Sequence, residues 1–480
     1  MTSTETLQQR KWYALILLAA AQFVVVLDAS IVNVALPSIG DDLKIEQADL
    51  SWIVNAYTLF FGGFLLLGGR MADLLGRRRV FMGGLILFAL ASLLGGLAQD
   101  DTQLIVARAA QGLGAAILSP AALSIVTTTF TEGAERNKAL GVWGAVAGSG
   151  GAAGVLLGGV LTDALSWEWV LFVNVPIGLA AAAAAPFLLA DTRDTDRHRS
   201  FDAAGAVTIT AALSILVYAL VDAEDAGWGS TQTVVLLALA AVLFVAFVVV
   251  ESRTKAPLVP FGIFRLRTLT ASNGVGLLLG MALFSMFFFV SLYMQYVLRF
   301  DALETGLAYL PLALTIIVTA GVASQLVTRL GFKPVLMFGL ALVAIGLVWF
   351  AQVSVGGSYV GDVLFPSIVA GAGLGFSFVP VTIGAVSGTR DEESGLASGL
   401  INTSQQIGGA LGLAILTTIA FANVPDGGAR DATALTAGFQ DAFLVGAGFA
   451  ALGFVIAALA VRGRDSEAMK GAEAPAPAAA

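Results

Sequence analysis

Long apolar blocks, separated by short polar stretches, follow one another along nearly the whole chain. A helix that crosses a bilayer needs about 20 mostly apolar residues. Fourteen blocks reach or approach that length: 13–36, 51–69, 80–98, 103–126, 138–162, 169–190, 203–221, 233–250, 268–297, 304–327, 334–352, 361–385, 394–421 and 438–461. The seventh is the weakest, because it carries Thr208, Thr210 and Ser214. The pattern predicts an all-α integral membrane protein with fourteen spans.

The polar stretches test that count. Cytoplasmic loops are enriched in Lys and Arg. With the N-terminus inside, the predicted inner segments hold 21 basic residues and the outer loops only Lys44, Arg299 and Arg430. Arg108 alone falls within a span. One helix more or fewer would invert every later loop and spoil the split. Both termini are therefore expected in the cytoplasm: residues 1–12 as a short tail, and 462–480, ending GAEAPAPAAA, as a disordered one. The first block is too long for a signal-peptide core and no small-residue cleavage site closes it, so it reads as a retained helix.

Composition narrows the chemistry. The chain is 58% hydrophobic and 12% charged, with a mean hydropathy of +0.88, against about 45–50% and about 25% for soluble domains. The polar residues are too few to coat a soluble exterior, so lipid is the solvent. There is no cysteine, which removes disulfides, thiolate metal sites and cysteine nucleophiles. The single histidine, His198, lies in the charged stretch DTRDTDRHRS, so neither a metal site nor a histidine base is expected in the membrane. No GxxxxGK[ST] phosphate loop is present. The energy source is then expected to be an ion gradient, with no cofactor and no nucleic-acid partner. The net charge of −8 does little to choose a partner.

Traces of a duplication appear at a near-constant spacing. GRRRVFMGG (Gly76–Gly84) resembles GFKPVLMFG (Gly331–Gly339) at an offset of 255, and ALGVWGAVAG (from Ala139) weakly resembles ASGLINTSQQ (from Ala397) at 258. Pro120 and Pro380 each follow a GLG run, at 260. The expected architecture is two six-helix bundles, 13–190 and 268–461, with a linker, 191–267, that adds two central transmembrane helices. Repeats of this kind build many transporters.

Four motifs carry a family resemblance. GRMADLLGRRRVF (Gly69–Phe81) resembles the cytoplasmic loop signature of the major facilitator superfamily. LDASIVNVALP (Leu27–Pro37) is similar to the first-helix signature of its fourteen-spanner drug:proton antiporters (EmrB/QacA-like). RAAQGLGAAILSPA (Arg108–Ala121) resembles the fourth-helix motif, and WEWVLFVNVPIG (Trp167–Gly178) the entry to the sixth helix of the same branch. Two positions depart from the pattern: Val155 stands at the usual proline of the fifth-helix motif GVLLGG (Gly154–Gly159), and Glu168 where a basic residue is usual. The resemblance implies a monomeric multidrug exporter of the bacterial cell membrane, moving lipophilic small molecules against protons by alternating access.

Within that frame Asp28 is the most informative residue. A carboxylate at the centre of a spanning helix costs roughly 2.5–3.5 kcal/mol on insertion scales, and such residues are usually functional. Asp28 lies nine residues before Pro37, ~13 Å below the outer end, and Arg108 seven residues past Asp101, ~10 Å in. In the resembled fold both helices line the central cavity, so Asp28 is expected to carry the proton and Arg108 to tune or relay it; a purely structural pair is the alternative. The loop signature implies a conformational latch built from Gly69, Asp73, Gly76 and Arg77, with Asp73 facing the start of the second half's fifth helix near Ser394. In the fifth helix Gly150, Gly154 and Gly158, with Gly159 beside them, form a small-residue face, read as sliding against the other half and sealing the proton path, or as tight packing alone. Gln22, Asn33, Asn55, Tyr57, Gln111, Asn174, Phe284, Phe288, Tyr293, Asn402 and Gln406 are candidates for lining a substrate cavity. Apolar walls with few polar groups suit bulky lipophiles. A proton-coupled symporter or a uniporter for a nutrient is the nearest rival. A polytopic membrane enzyme would need clustered acids or histidines that the chain does not show, and a receptor would not need a mid-depth acid.

Overall fold

Lipid offers a backbone amide no partner, so a spanning segment must satisfy its own hydrogen bonds, and the apolar blocks wind into helices. A computed structural model describes residues 3–45, 47–131, 133–190, 202–254, 257–421 and 432–467, and no strand occurs among them. The first half comprises α1 (Ser3–Leu43), α2 (Gln47–Leu75), α3 (Arg77–Gly96), α4 (Asp101–Thr129), α5 (Ala134–Ala164), α6 (Trp169–Phe172) and α7 (Asn174–Leu188). A hairpin follows, α8 (Ala203–Ala226) and α9 (Thr231–Arg253). The second half comprises α10 (Arg267–Leu292), α11 (Ala302–Ala308), α12 (Leu310–Leu330), α13 (Phe332–Phe350), α14 (Phe365–Val386), α15 (Ser394–Phe421), α16 (Ala432–Ala460) and the short α17 (Gly463–Glu467).

Among the described residues twelve helices are long and apolar enough to cross a membrane. Two of the expected blocks fall outside that set. α5 is bent by 45° between the limbs Ala134–Gly151 and Ala153–Ala164, and makes a thirteenth if the limbs are one span. The limbs part just after Ser149-Gly150-Gly151, where the Ser149 hydroxyl donates back to Ala145 O at 2.7 Å; Gly/Ser pairs are a regular cause of kinks. α8 is continuously apolar only over Ala204–Leu220. At the N-terminal end α1 is helical from Ser3. The expected disorder from residue 462 needs correcting, because residues 463–467 form a docked helix. There the buried Ser466 hydroxyl accepts from Lys333 N at 2.9 Å and Thr268 donates to Asp465. Residues 468–480 lie outside the described residues.

The duplication is visible in the packing. α1 lies on α5, α2 on α4, α3 on α4 and α3 on α7; α10 lies on α15, α12 on α14, α13 on α14 and α13 on α16 in the same way. The α3–α4 crossing is a glycine contact, Gly84 against Gly114, and the α13–α14 crossing repeats it with Gly339 against Gly373. A Cβ at Gly114 would stand 3.0 Å from Gly84 O, and one at Gly373 2.8 Å from Gly339 O. The paired basic motif also repeats in function. Arg78 Nη1 donates to Leu189 O just past α7 (3.1 Å). Lys333 Nζ donates to Ala458 O (2.7 Å) and Val461 O (2.8 Å) at the end of α16. In each half a cation meets the carbonyls that the last long helix leaves unpaired. These contacts, with Lys11–Glu135 at 3.4 Å and Arg70 Nη2 donating to Pro257 O at 3.3 Å, gather the basic helix ends at one face of the bundle, the Arg-rich face.

The halves meet where α5 runs along α12 and α14, and where α15 meets α2 and α4. The hairpin is not an outlying linker. α8 packs on both α2 and α15, in an apolar cluster that includes Leu66, Ile209, Leu213, Phe247, Leu396 and Ala397. Trp52 of α2 stacks on Tyr218 of α8 at 5.7 Å. The indole of Trp228 donates to Thr418 Oγ1 of α15 at 2.6 Å.

Candidate functional site

Asp28 and Arg108 meet directly. Arg108 Nη1 donates to Asp28 Oδ2 at 2.6 Å, with the two side chains 0% and 1% exposed. Arg108 and Gln111 sit one turn apart on α4 and so share its face toward α1. Gln111 Nε2 donates to Asp28 Oδ1 at 2.6 Å, and Asn174 Nδ2, from the first residue of α7, donates to the same oxygen at 2.7 Å. α6 runs into α7 through Val173, whose backbone stays helical at φ −59°, ψ −28°, so Asn174 sits within one continuous span, Trp169–Leu188. Ser92 of α3 accepts from Gln111 Nε2 at 2.7 Å. Arg108 is further held by Ile53 O, which accepts from Nε at 3.1 Å, by Gln111 Oε1, which accepts from Nη1 at 2.6 Å, and by the face of Tyr57, 4.4 Å from the guanidinium carbon. The Tyr57 hydroxyl donates to Val25 O at 3.1 Å.

Five helices thus converge on one carboxylate. A carboxyl group this dry is costly unless it is paired and hydrogen-bonded, and here it meets three donors, from Arg108, Gln111 and Asn174. This placement corrects part of the expected cavity lining. Tyr57, Gln111 and Asn174 are 2%, 1% and 0% exposed, because they are the cradle of the ion pair and have no surface left for a substrate. Tyr293 is likewise buried: its hydroxyl donates to Ser354 O at 2.7 Å and lies 3.2 Å from Asp362 Oδ2, which makes it a strut between the end of α10 and the segment before α14. Gln22 is buried with its side-chain oxygen unpaired. Asn33 and Phe284 are exposed, while Asn55, Phe288, Asn402 and Gln406 are partly so. Phe284 lies across Gly409 of α15, and the Asn402 amide donates to Ser398 O at 2.8 Å.

The glycine face of α5 also lies elsewhere than expected. It packs against α1 of its own half, not against the other half. A Cβ at Gly150 would stand 2.7 Å from Val26 Cγ1, at Gly154 2.6 Å from Leu27 O, and at Gly158 2.7 Å from Ile31 O. These contacts bracket Asp28 and press the two backbones together on its flank. Gly159 is buried beside them. The opposite half meets a different stripe of α5: a Cβ at Gly141 would stand 2.7 Å from Ser324 Cβ, and at Gly144 2.9 Å from Val379 Cγ2. α5 therefore touches the acid-bearing helix on one side and the second bundle on the other. The second half repeats the first contact at an offset of 258, with Gly408 on Leu277 and Gly412 on Met281.

At the Arg-rich face Asp73 joins the halves. Its Oδ1 accepts from Gly395 N at 3.0 Å and its Oδ2 from Leu396 N at 2.9 Å, two of the amides that the first turn of α15 leaves unpaired. Arg77 Nη2 stands 3.6 Å from Oδ1. Gly69 permits the contact, because a Cβ there would run into Gly395 O. Gly76, at φ 98°, turns the chain sharply between α2 and α3. Nearby, the Ser124 and Ser394 hydroxyls are hydrogen-bonded at 2.7 Å. The opposite flank is joined without charge: Asn137 Nδ2 donates to Thr328 Oγ1 at 3.0 Å, and Ser324 Oγ to Asn137 O at 2.8 Å. Sequence reasoning missed Ser92, Ser124, Asn137, Ser324 and Thr328, since small polar residues inside helices carry no signal by themselves. It also missed Glu251. Glu251 is 3% exposed at the end of α9 and accepts from Leu258 N (3.2 Å) and Val259 N (3.3 Å). No group of three or more metal-ligating side chains occurs among the described residues.

Comparison with known proteins agrees with this architecture. The family model of the Major Facilitator Superfamily matches residues 18–413. The puromycin resistance protein pur8 of Streptomyces alboniger is 42% identical over 413 residues, 85% of this chain and 82% of that protein. The cephamycin export protein CmcT of Amycolatopsis lactamdurans is 43% identical over 409 residues, 85% and 84% of the two chains. The tetracenomycin C resistance and export protein of Streptomyces glaucescens is 35% identical over 459 residues, 93% and 84%. Among solved structures, the human organic anion transporter MFSD10 (TETRAN) superposes with a TM-score of 0.66 at 15% identity, covering 95% of this chain and 100% of that one; at that identity the likeness is one of fold.

Proposed function

Because the chain belongs to the Major Facilitator Superfamily, we propose that it is a proton-coupled antiporter of the fourteen-spanner drug-efflux branch, exporting lipophilic small molecules, antibiotics among them, across a bacterial plasma membrane. The observation that carries the reading is the dry Asp28–Arg108 pair, with Gln111 and Asn174 as further donors to the carboxylate. A carboxylate held this deep is the element a proton-driven cycle needs. The relatives named for antibiotic resistance and export give the direction of transport and the substrate class. On this reading the bent α5 and the shorter α8 also cross the membrane beside the twelve long apolar helices, which would give fourteen spans with the Arg-rich face and both termini in the cytoplasm.

In this reading the structure is closed on the cytoplasmic side, latched by Asp73 on the start of α15 and by the Asn137–Thr328 contact. Uptake of a proton by Asp28 removes the charge that Arg108 pairs with and loosens α1 from α4. α5, packed glycine to backbone on α1 and running along α12 and α14, passes that change to the other half. Substrate occupies the space between the bundles and leaves outward as the proton enters. The test uses everted membrane vesicles and a panel of lipophilic antibiotics, with lumenal pH recorded. Adding a substrate should release protons from the acidified lumen. Asp28→Asn, which keeps the side-chain shape and one acceptor oxygen, should abolish that release while the protein remains folded. Transport at the parent rate in Asp28→Asn, or uptake indifferent to collapse of the pH gradient, would overturn the proposal. The second result would favour a uniporter.

A further inference from the structure

We infer that Asn174 is the residue that reads the protonation state of Asp28, by turning its amide over; the inference rests on Asp28 being the proton carrier. Asn174 is wholly buried. Its Nδ2 donates to Asp28 Oδ1 at 2.7 Å, while its Oδ1, buried in the same site, accepts no hydrogen bond. An ionised carboxylate is acceptor-only, so only the N–H edge of an amide can face it. A neutral carboxyl has an O–H to donate, and that O–H needs an acceptor. The side chains bonded to Asp28 offer few. Arg108 has donors only. Gln111 Oε1 already accepts from Arg108 Nη1 at 2.6 Å. The Asn174 carbonyl oxygen is the acceptor among them with no donor, and rotation of the amide by half a turn brings it to the carboxyl.

The rest of the site can stand still during that rotation. Arg108, from α4, is the charged group facing Asp28, and Tyr57, from α2, is the titratable one; α3 contributes Ser92. When Asp28 becomes neutral, the guanidinium keeps Ile53 O at 3.1 Å, Gln111 Oε1 at 2.6 Å and the face of Tyr57. Ser92 Oγ lies 3.4 Å from Asn174 Nδ2, so it is in reach of the amide. Asn174 is a positioning residue for the proton, and it stands in the VNVPIG of the sixth-helix motif.

The measurement is an infrared difference spectrum, acid minus neutral, on the full-length protein in lipid, for the parent, Asp28→Asn, Asn174→Leu and Asn174→Ser, with the pH profile of proton-driven efflux alongside. The parent should show a protonated-carboxyl C=O band that Asp28→Asn lacks. In Asn174→Leu that band should move to higher wavenumber, because the O–H has lost its acceptor, and proton-driven efflux should fall at least tenfold with a displaced pH profile. Asn174→Ser should restore most of the rate, since a hydroxyl donates and accepts without turning over. If Asn174→Leu does not accumulate, Asn174→Ala carries the same comparison. An Asp28 band at the parent position in the apolar variant, with a parent pH profile, overturns this inference and leaves the proton-carrier reading intact. Absence of any band that depends on Asp28 removes both.

Discussion

Removing the Asp73 carboxylate should open the Arg-rich face. In the structure it accepts two backbone N–H bonds, at 3.0 and 2.9 Å, from the first turn of α15. Hydrogen bonds to a charged group contribute about 1.5–3 kcal/mol each, and a helix N-terminus adds about 0.3–1 kcal/mol for an anion at its end. Water can reach the freed amides of Gly395 and Leu396 once the face parts, so the lower end applies, about 3 kcal/mol for the pair. At about 1.4 kcal/mol per factor of ten, Asp73→Ala should shift the closed-to-open equilibrium at this face by on the order of a hundredfold. Asp73→Asn, which keeps one acceptor oxygen, should shift it by about tenfold on the same scale. The chain has no cysteine, so two engineered cysteines suffice for spin labels. Leu75 at the end of α2 and Leu330 at the end of α12 are 48% and 50% exposed and accept labels without repacking. Pulsed electron–electron distance distributions should gain a longer component in Asp73→Ala without substrate, and less of it in Asp73→Asn. Substrate binding in detergent should persist. A distribution identical to the parent's in Asp73→Ala would refute the latch, because the two halves would then be held at this face by contacts that owe nothing to the carboxylate.

Three further substitutions, one of them a control, probe the packing. Gly154→Val places a Cβ 2.6 Å from Leu27 O and 2.9 Å from Ser30 Cβ; overpacking of this kind costs about 1–3 kcal/mol or more, so thermal unfolding should come earlier and proton-driven efflux should drop, as α1 is displaced beside Asp28. Gly83→Ala, with no atom within 4 Å of the new Cβ, is the control and should leave both measurements at or above the parent's; equal loss in the two variants would show that the site of the glycine is immaterial. Lys333→Ala strips the donor from Ala458 O and Val461 O and should lower stability by about 1–3 kcal/mol, read by thermal unfolding in detergent. No change would mean that water replaces the cap in full.

The helices were legible because hydrophobic length is a property of each segment alone. The two blocks that the structure renders differently, α5 and α8, are those in which local chemistry interrupts the apolar run: Ser149-Gly150-Gly151 in the first, and Thr208, Thr210 and Ser214 within a short apolar stretch in the second. The glycine face of α5 shows where such reading stops. A stripe at four-residue steps says that another backbone comes close, and it does, but it does not say whose. That depends on the order of helices around the bundle, which put α1 against Gly150, Gly154 and Gly158 and left Gly141 and Gly144 to meet the second half. Glu251 is a related case: a carboxylate two residues from the end of α9 reads as a solvated terminus, yet the chain folds back so that Leu258 N and Val259 N donate to it.

Asp28 itself stood out because its surroundings in sequence are apolar, and the same isolation hid its partners. An ion pair taken out of water loses several kcal/mol of hydration per ion, which the mutual attraction offsets only when the remaining lone pairs and protons are also satisfied. Arg108 was visible as the other charge at that depth. The other groups of the site are neutral: Gln111 one turn along, Asn174 on α7, Ser92 behind Gln111, the face of Tyr57 and the carbonyl of Ile53. Each had been read as a generic polar or aromatic lining residue or passed over, since an amide or a hydroxyl in a helix is compatible with either role. What separates the roles is burial: Tyr57, Gln111 and Asn174 are closed over around the ion pair, whereas Asn55, Phe288, Asn402 and Gln406 stay partly open and are where a substrate surface is to be sought. In the proposed cycle the proton site and the substrate site are distinct sets of side chains, and coupling between them travels through helix movement, along the α1–α5 glycine contact, and not through a shared ligand.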